Sequence, residues 1–122
     1  MGAERALGVD IDPEAVRASR ENAAINGVSN RLEVGLGSVS EVVEGNYSVR
    51  DAQLVFANIL APILVQLLDL QMGELVIPGG WLILSGILAE QSQGVVEALN
   101  AHGFQSVEVR QSGDWVALAA RR

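Results

Sequence analysis

The eight residues Ala6-Leu7-Gly8-Val9-Asp10-Ile11-Asp12-Pro13 constrain this chain more than any other stretch. A short apolar run ends in an acid, and a helix must begin at once. Asp12 can cap that helix, Pro13 suits its first position, and Glu14 lies at the favourable positive end of its dipole. A strand that ends in a carboxylate and turns directly into a helix is how a Rossmann-like sheet holds a nucleotide-type cofactor. The acid accepts hydrogen bonds from both ribose hydroxyls. In such folds a strand and a glycine-rich turn precede the acid by about 20 residues. Here only Met1 to Arg5 precede the apolar run.

The rest of the chain alternates in the same manner. Leu7 to Val9 reads as a short buried strand. The helix that follows places Val16, Ser19 and Ala23 on one face, with Arg17 and Glu21 one turn apart in solvent, and ends at Asn26-Gly27. Arg31 to Leu36 reads as a second strand closed by Gly37-Ser38. Val39 to Asp51 is a polar connection with room for one short helical turn. Ala52 to Ala57 is nearly all apolar, as a central parallel strand is, and it ends at Asn58. Pro62 to Leu75 reads as a helix apolar almost all the way round. Pro78-Gly79-Gly80 is a turn before a strand from Trp81 to Ser85. Ala89 to Ala101 is a helix capped by Gly103, and the strands Phe104 to Arg110 and Trp115 to Ala120 close the chain as a hairpin through Ser112-Gly113-Asp114. This order predicts an α/β fold with a mainly parallel sheet and right-handed crossovers, ending in an antiparallel pair.

Composition removes several function classes. The chain has 122 residues, 49% of them apolar, enough to bury a core and too apolar for disorder. It has no cysteine and one histidine, His102, which excludes disulfides, cysteine-ligated metals and multi-histidine metal sites. The net charge is −7, all eight basic residues are arginine, and only Arg121-Arg122 stand together. Direct nucleic-acid binding is therefore disfavoured, whereas an acidic surface is compatible with a basic protein substrate. The start of the chain lacks a basic region followed by an apolar stretch, and no apolar run approaches the roughly 20 residues that span a bilayer. Cytoplasmic residence is the expectation.

The order of elements is that of the class I S-adenosylmethionine-dependent methyltransferases from their second strand to their last. The strings GVDIDPEAVRASRENAAINGV, ANILAPIL and PGGWLILSGIL, in this order and spacing, closely resemble the ribosomal protein L11 methyltransferase family. The resemblance covers essentially the whole chain. It implies a Rossmann-like fold with the family's first strand and glycine-rich loop missing, so that residues 1–122 form one partial methyltransferase domain. The family's small N-terminal domain, which grips the ribosomal protein, has no counterpart in this sequence. The implied cofactor is S-adenosylmethionine. The implied reaction is methylation of lysine and terminal amines of ribosomal protein L11. Alternatives are a non-catalytic fragment of such an enzyme, prone to self-association through a face left open, and a class I methyltransferase with another substrate. NAD binding is disfavoured by the terminal hairpin.

Candidate residues follow from position and resemblance. Asp10 reads as a buried carboxylate that ribose hydroxyls would satisfy, the alternative being a second capping acid beside Asp12. The resemblance places Ile11 along the adenine ring, where ordinary burial would explain it equally. Gly37-Ser38 stands where relatives usually carry Gly-Asp beside the adenine. Ser38 offers a hydroxyl and its backbone amide, and a plain Gly-Ser turn is the alternative. Asn58 lies at the carboxyl end of a strand, where open sheets bind ligands. In relatives that methylate amide nitrogens the corresponding Asn-Pro-Pro motif holds the target nitrogen and a following carbonyl orients it. Here the motif is Asn58-Ile59-Leu60-Ala61, and a turn or cap before the Pro62 helix is the other explanation. No general base is evident. His102 reads as a helix-end residue, and Trp81 and Trp115 read as sheet packing.

Overall fold

The computed structural model describes residues 3–122. They divide into two compact units between Arg50 and Asp51. Each unit has its own sheet.

The first unit is a strand–helix–strand crossover. Strands β1 (Ala6–Asp10) and β2 (Leu32–Leu36) are parallel, with Asp10 opposite Leu36. Helix α1 (Pro13–Ile25) joins them, capped as the sequence predicts: Asp12 accepts the Glu14 N–H at 3.0 Å. Its far end closes with Gly27 at φ +68, the Gly27 N–H on the Ala24 carbonyl and the Val28 N–H on that of Ala23. This double bond pair is the Schellman arrangement, which glycine permits without steric cost. Val16 and Ala23 are buried, but Ser19 is exposed. Arg17 lies between Glu14 and Glu21, both at 2.7 Å. The short helix α2 (Val39–Val43) buries Val39 and Val42. β1 is not the buried strand the composition suggests, since its residues are half-buried or exposed. Its hydrogen-bonded neighbour stands on one edge only.

The second unit is a four-stranded sheet in the order β3-β4-β6-β5, comprising β3 (Ala52–Asn58), β4 (Val76–Leu88), β5 (Gln105–Ser112) and β6 (Trp115–Arg121). β3 and β4 are parallel, and the remaining pairs are antiparallel, as the expected terminal hairpin requires. The core is built from Leu64 and Leu68 of helix α3 (Ala61–Asp69), Val95 and Leu99 of α4 (Ser92–Ala101), and Leu82, Leu84, Ile87 and Leu118 of the sheet, all 2% exposed or less. Alternate residues of β6, Val116, Leu118 and Ala120, point inward, as period-two patterning dictates.

Three differences from the sequence reading have local causes. α3 stops at Asp69 because Gln71 adopts a left-handed backbone (φ 76), and a separate 3-10 turn, Met72–Leu75, carries the chain on. β4 runs on both sides of Pro78-Gly79-Gly80, which forms a bulge: Ala52 faces Val76, yet Leu54 faces Trp81. β3, apolar enough for a central strand, lies at the edge of its sheet with Leu54 48% and Phe56 69% exposed. Among the described residues no helix is long and apolar enough to cross a membrane.

Candidate active site

At the end of β1 the chain bends sharply. The Asp10 carboxylate accepts the Asp12 N–H at 2.9 Å through Oδ1, and its other oxygen has no partner among the described residues. One oxygen thus braces the entry to α1. Asp10 is exposed rather than buried, so the cost of an unpaired buried charge is not what selects an acid here. Ile11 follows it with 77% of its surface exposed, and Leu36, opposite Asp10 on β2, is 54% exposed. Ile11 is therefore not explained by ordinary burial.

The β2 terminus is drawn to the same place, since the Gly37 N–H donates to the Asp10 carbonyl at 2.9 Å. The structure thus brings Asp10, Ile11, Gly37 and Ser38 together. It also corrects one expectation: the Ser38 amide is not free. It donates to the Glu41 carboxylate at 2.8 Å, which also accepts the Ser40 hydroxyl at 2.9 Å. These bonds, led by that from the Ser38 amide, hold the Glu41 carboxyl below the ordinary glutamate range. Gly37 makes the fold-back possible, since a methyl group there would stand 3.1 Å from Cβ and Cγ of Glu41. Tyr47 crosses β2 from the following loop, its hydroxyl on the Leu36 carbonyl and its ring over the bare backbone of Gly35. Ser48 ties the same loop to Glu33 through its amide at 3.1 Å and its hydroxyl at 2.6 Å.

Sequence reasoning missed Glu41, although Ser38-Val39-Ser40-Glu41 is the spacing of a capping box and signals this contact. Nothing in the sequence signals that Tyr47 covers Gly35.

In the second unit Asn58 is the last residue of β3, exposed, and paired with Ser85 of β4. It does not cap α3, whose N-cap is Leu60. The cap explanation for Asn58 therefore falls away. Ile59 is half-buried between the strand end and the helix.

The sequence profile of the ribosomal protein L11 methyltransferase (PrmA) family matches residues 1–122. The chain belongs to that family. Relatives named ribosomal protein L11 methyltransferase include those of Pelotomaculum thermopropionicum, 45% identical over 99% of this chain and 37% of the relative, and Pseudomonas aeruginosa, 44% identical over all of this chain and 39% of the relative. The chain thus spans less than two-fifths of the length of these relatives. The crystal structure of a ribosomal protein L11 methylase from Lactobacillus delbrueckii superposes with a TM-score of 0.85 at 34% identity, covering 99% of this chain and 59% of the other. An S-adenosylmethionine-dependent O-methyltransferase of Thermotoga maritima has the same fold (TM-score 0.79, 16% identity, 97% of this chain and 49% of that one). The α/β, Rossmann-like class I methyltransferase fold expected from the sequence is the fold of this PrmA-family chain.

The residues set aside as structural divide. His102 ends α4 and meets Asp69 at the end of α3, Nε2 to Oδ1 at 3.0 Å. Trp81 is half-buried beneath the Arg121 guanidinium, 5.7 Å from its ring centre. Trp115 instead is 55% exposed beside the hairpin turn, so it contributes little packing.

Proposed function

We propose that this chain is part of an S-adenosylmethionine-dependent protein N-methyltransferase that acts on lysine and terminal amines of ribosomal protein L11. In this reading residues 1–122 serve as part of one cofactor-binding domain in the cytoplasm. The observation that carries it is the half-free Asp10 carboxylate at the carboxyl end of β1, with the exposed Ile11 beside it, in a chain of this family.

The residues present suit the cofactor's chemistry. Asp10 offers a free carboxylate oxygen and a shared one to two ribose hydroxyls, and Ile11 offers an apolar face to the adenine. Gly37 and Ser38 border the adenine. The Ser38 amide is held by Glu41, so a ring nitrogen has to displace that carboxylate, which can then accept from the exocyclic amine. Bound S-adenosylmethionine supplies an electrophilic methyl group on a positively charged sulfur. In its own unit Asn58 holds the amine through its carboxamide, with the Ile59 carbonyl as a second acceptor. Two acceptors on the amine hydrogens aim the nitrogen lone pair. In-line transfer to a neutral amine asks mainly for alignment at about 3–3.5 Å and for exclusion of water. A lysine must arrive deprotonated.

The test is transfer of labelled methyl from S-adenosylmethionine to purified ribosomal protein L11. Incorporation at amines of that protein supports the reading. Binding of cofactor with no incorporation at any amine refutes the substrate, and absence of cofactor binding by the folded chain refutes independent catalysis by residues 1–122.

A further inference from the structure

We propose that Gly86 is a positioning residue for Asn58, a role that rests on the reading of Asn58 as the group that holds the target amine. β3 and β4 run parallel, and their register sets Asn58 opposite Ser85. Gly86 is the next residue of β4, where pairing with β6 slips between Leu84 and Ile87. Its φ is +78, a left-handed conformation that residues with a Cβ adopt only with strain. The slip and the left-handed residue together make a bulge, the device that strands use to re-aim neighbouring side chains.

The bulge faces Asn58. A methyl group built on Gly86 would stand 2.5 Å from Oδ1 of Asn58, closer than real Cβ atoms come to any neighbour. The same methyl group would lie 3.5 Å from the Ile59 carbonyl oxygen and 3.6 Å from its amide nitrogen, at ordinary contact. The Asn58 carboxamide thus rests in the space that a side chain at position 86 would fill, with the Ile59 peptide along the same bare backbone. Asn58 is otherwise exposed. The bare backbone of β4 limits where its carboxamide can turn, and any side chain at 86 pushes Oδ1 out toward solvent. Position 86 touches neither amine nor cofactor in this reading and acts only through Asn58 and Ile59.

The test compares Gly86→Ala, Gly86→Asn and Asn58→Ala, singly and with Asn58→Ala combined with each change at 86. Gly86→Ala is expected to lower the melting temperature, and the loss is expected to shrink in part in the Asn58→Ala background, because contacting residues couple while the strain at φ +78 remains. Asparagine tolerates the left-handed backbone but still carries a Cβ. Gly86→Asn is therefore expected to regain part of the melting temperature and none of the turnover. In methyl transfer, Gly86→Ala is expected to lower kcat about tenfold or more while KM for S-adenosylmethionine stays within about twofold, the pattern of a misplaced reacting group rather than a lost cofactor contact. Additive thermal losses, a Gly86→Ala protein with the parent's kcat, or recovery of kcat by Gly86→Asn would each overturn the proposal. Failure of the underlying reading looks different: Asn58→Ala keeps the parent's kcat, while thermal coupling between 86 and 58 is still measured.

Discussion

Replacing Asp10 by alanine is expected to weaken S-adenosylhomocysteine binding by about 30- to 150-fold. A hydrogen bond to a charged group contributes about 1.5–3 kcal/mol, and two ribose hydroxyls would set an upper bound of about twice that. Two observations reduce it. Asp10 is exposed, and its Oδ1 already accepts the Asp12 N–H at 2.9 Å. Only one oxygen is fully available, and water competes for both, leaving about 2–3 kcal/mol, at about 1.4 kcal/mol per tenfold change in affinity. The effect on folding is much smaller. The substitution removes one exposed hydrogen bond ahead of α1, while the Asp12 cap on Glu14 remains, so about 1 kcal/mol or less is at stake. Calorimetric titration of the parent, Asp10→Ala and Asp10→Asn, each checked by thermal unfolding, separates the two. Asn keeps one acceptor and is expected to fall between the others. A dissociation constant for Asp10→Ala within about threefold of the parent's would refute the ribose role and leave Asp10 as a brace for α1 alone.

Leu64, fully buried on α3, should destabilise the second unit by about 2–5 kcal/mol when cut to alanine. Both tryptophans, Trp81 and Trp115, lie in that unit, so denaturant titration followed by their fluorescence reads it selectively; a loss under about 1 kcal/mol would mean that α3 does not pack as described. Glu33 and Glu41 have carboxyls held below the ordinary range, the first chiefly by the Ser48 hydroxyl and the second by the Ser38 amide. A depressed folded value means that their stabilising contribution is complete above the ordinary glutamate range and fades as pH falls through the folded one. Glu41→Gln should therefore flatten the acid limb of a pH–stability curve measured by circular dichroism, and an unchanged limb would contradict the Ser38 contact. Phe56, 69% exposed on the edge strand β3, should promote self-association. Sedimentation at micromolar concentration is expected to show association that Phe56→Glu suppresses, and a monomeric parent would overturn this.

What could be read in the sequence was whatever local chemistry decides. The α1 cap at Asp12, its stop at Asn26-Gly27 and the terminal hairpin follow from side-chain acceptors and left-handed glycines, and the structure has them where expected. The end of α3 was not legible, because Gln71 takes a backbone conformation usually left to glycine. Nor was the exposure of β1 and β3. Apolar composition states what a strand can bury, and pairing partners decide what it does bury. At the candidate site, the strand ends at Asp10 and Asn58 were legible by position, whereas Ile11 was named only by the resemblance. Glu41 was signalled only by the spacing Ser38-Val39-Ser40-Glu41, at the start of a stretch expected to be a polar connection. Gly86 was hidden because the strand was expected to stop at Ser85, whereas a lone glycine inside a strand is itself a sign of a bulge.

The order β3-β4-β6-β5 places β6, the last strand in the chain, between two earlier ones. During synthesis β4 therefore leaves the ribosome roughly thirty residues ahead of its second neighbour. At ~5–20 residues per second, its inner residues Leu82, Leu84 and Ile87 wait seconds for the strand that completes their sheet. A nascent chain of this kind is a natural client for a holding chaperone in that interval. Stalling translation with β4 outside the ribosome and Trp115–Arg121 still within it should yield the species it captures most strongly.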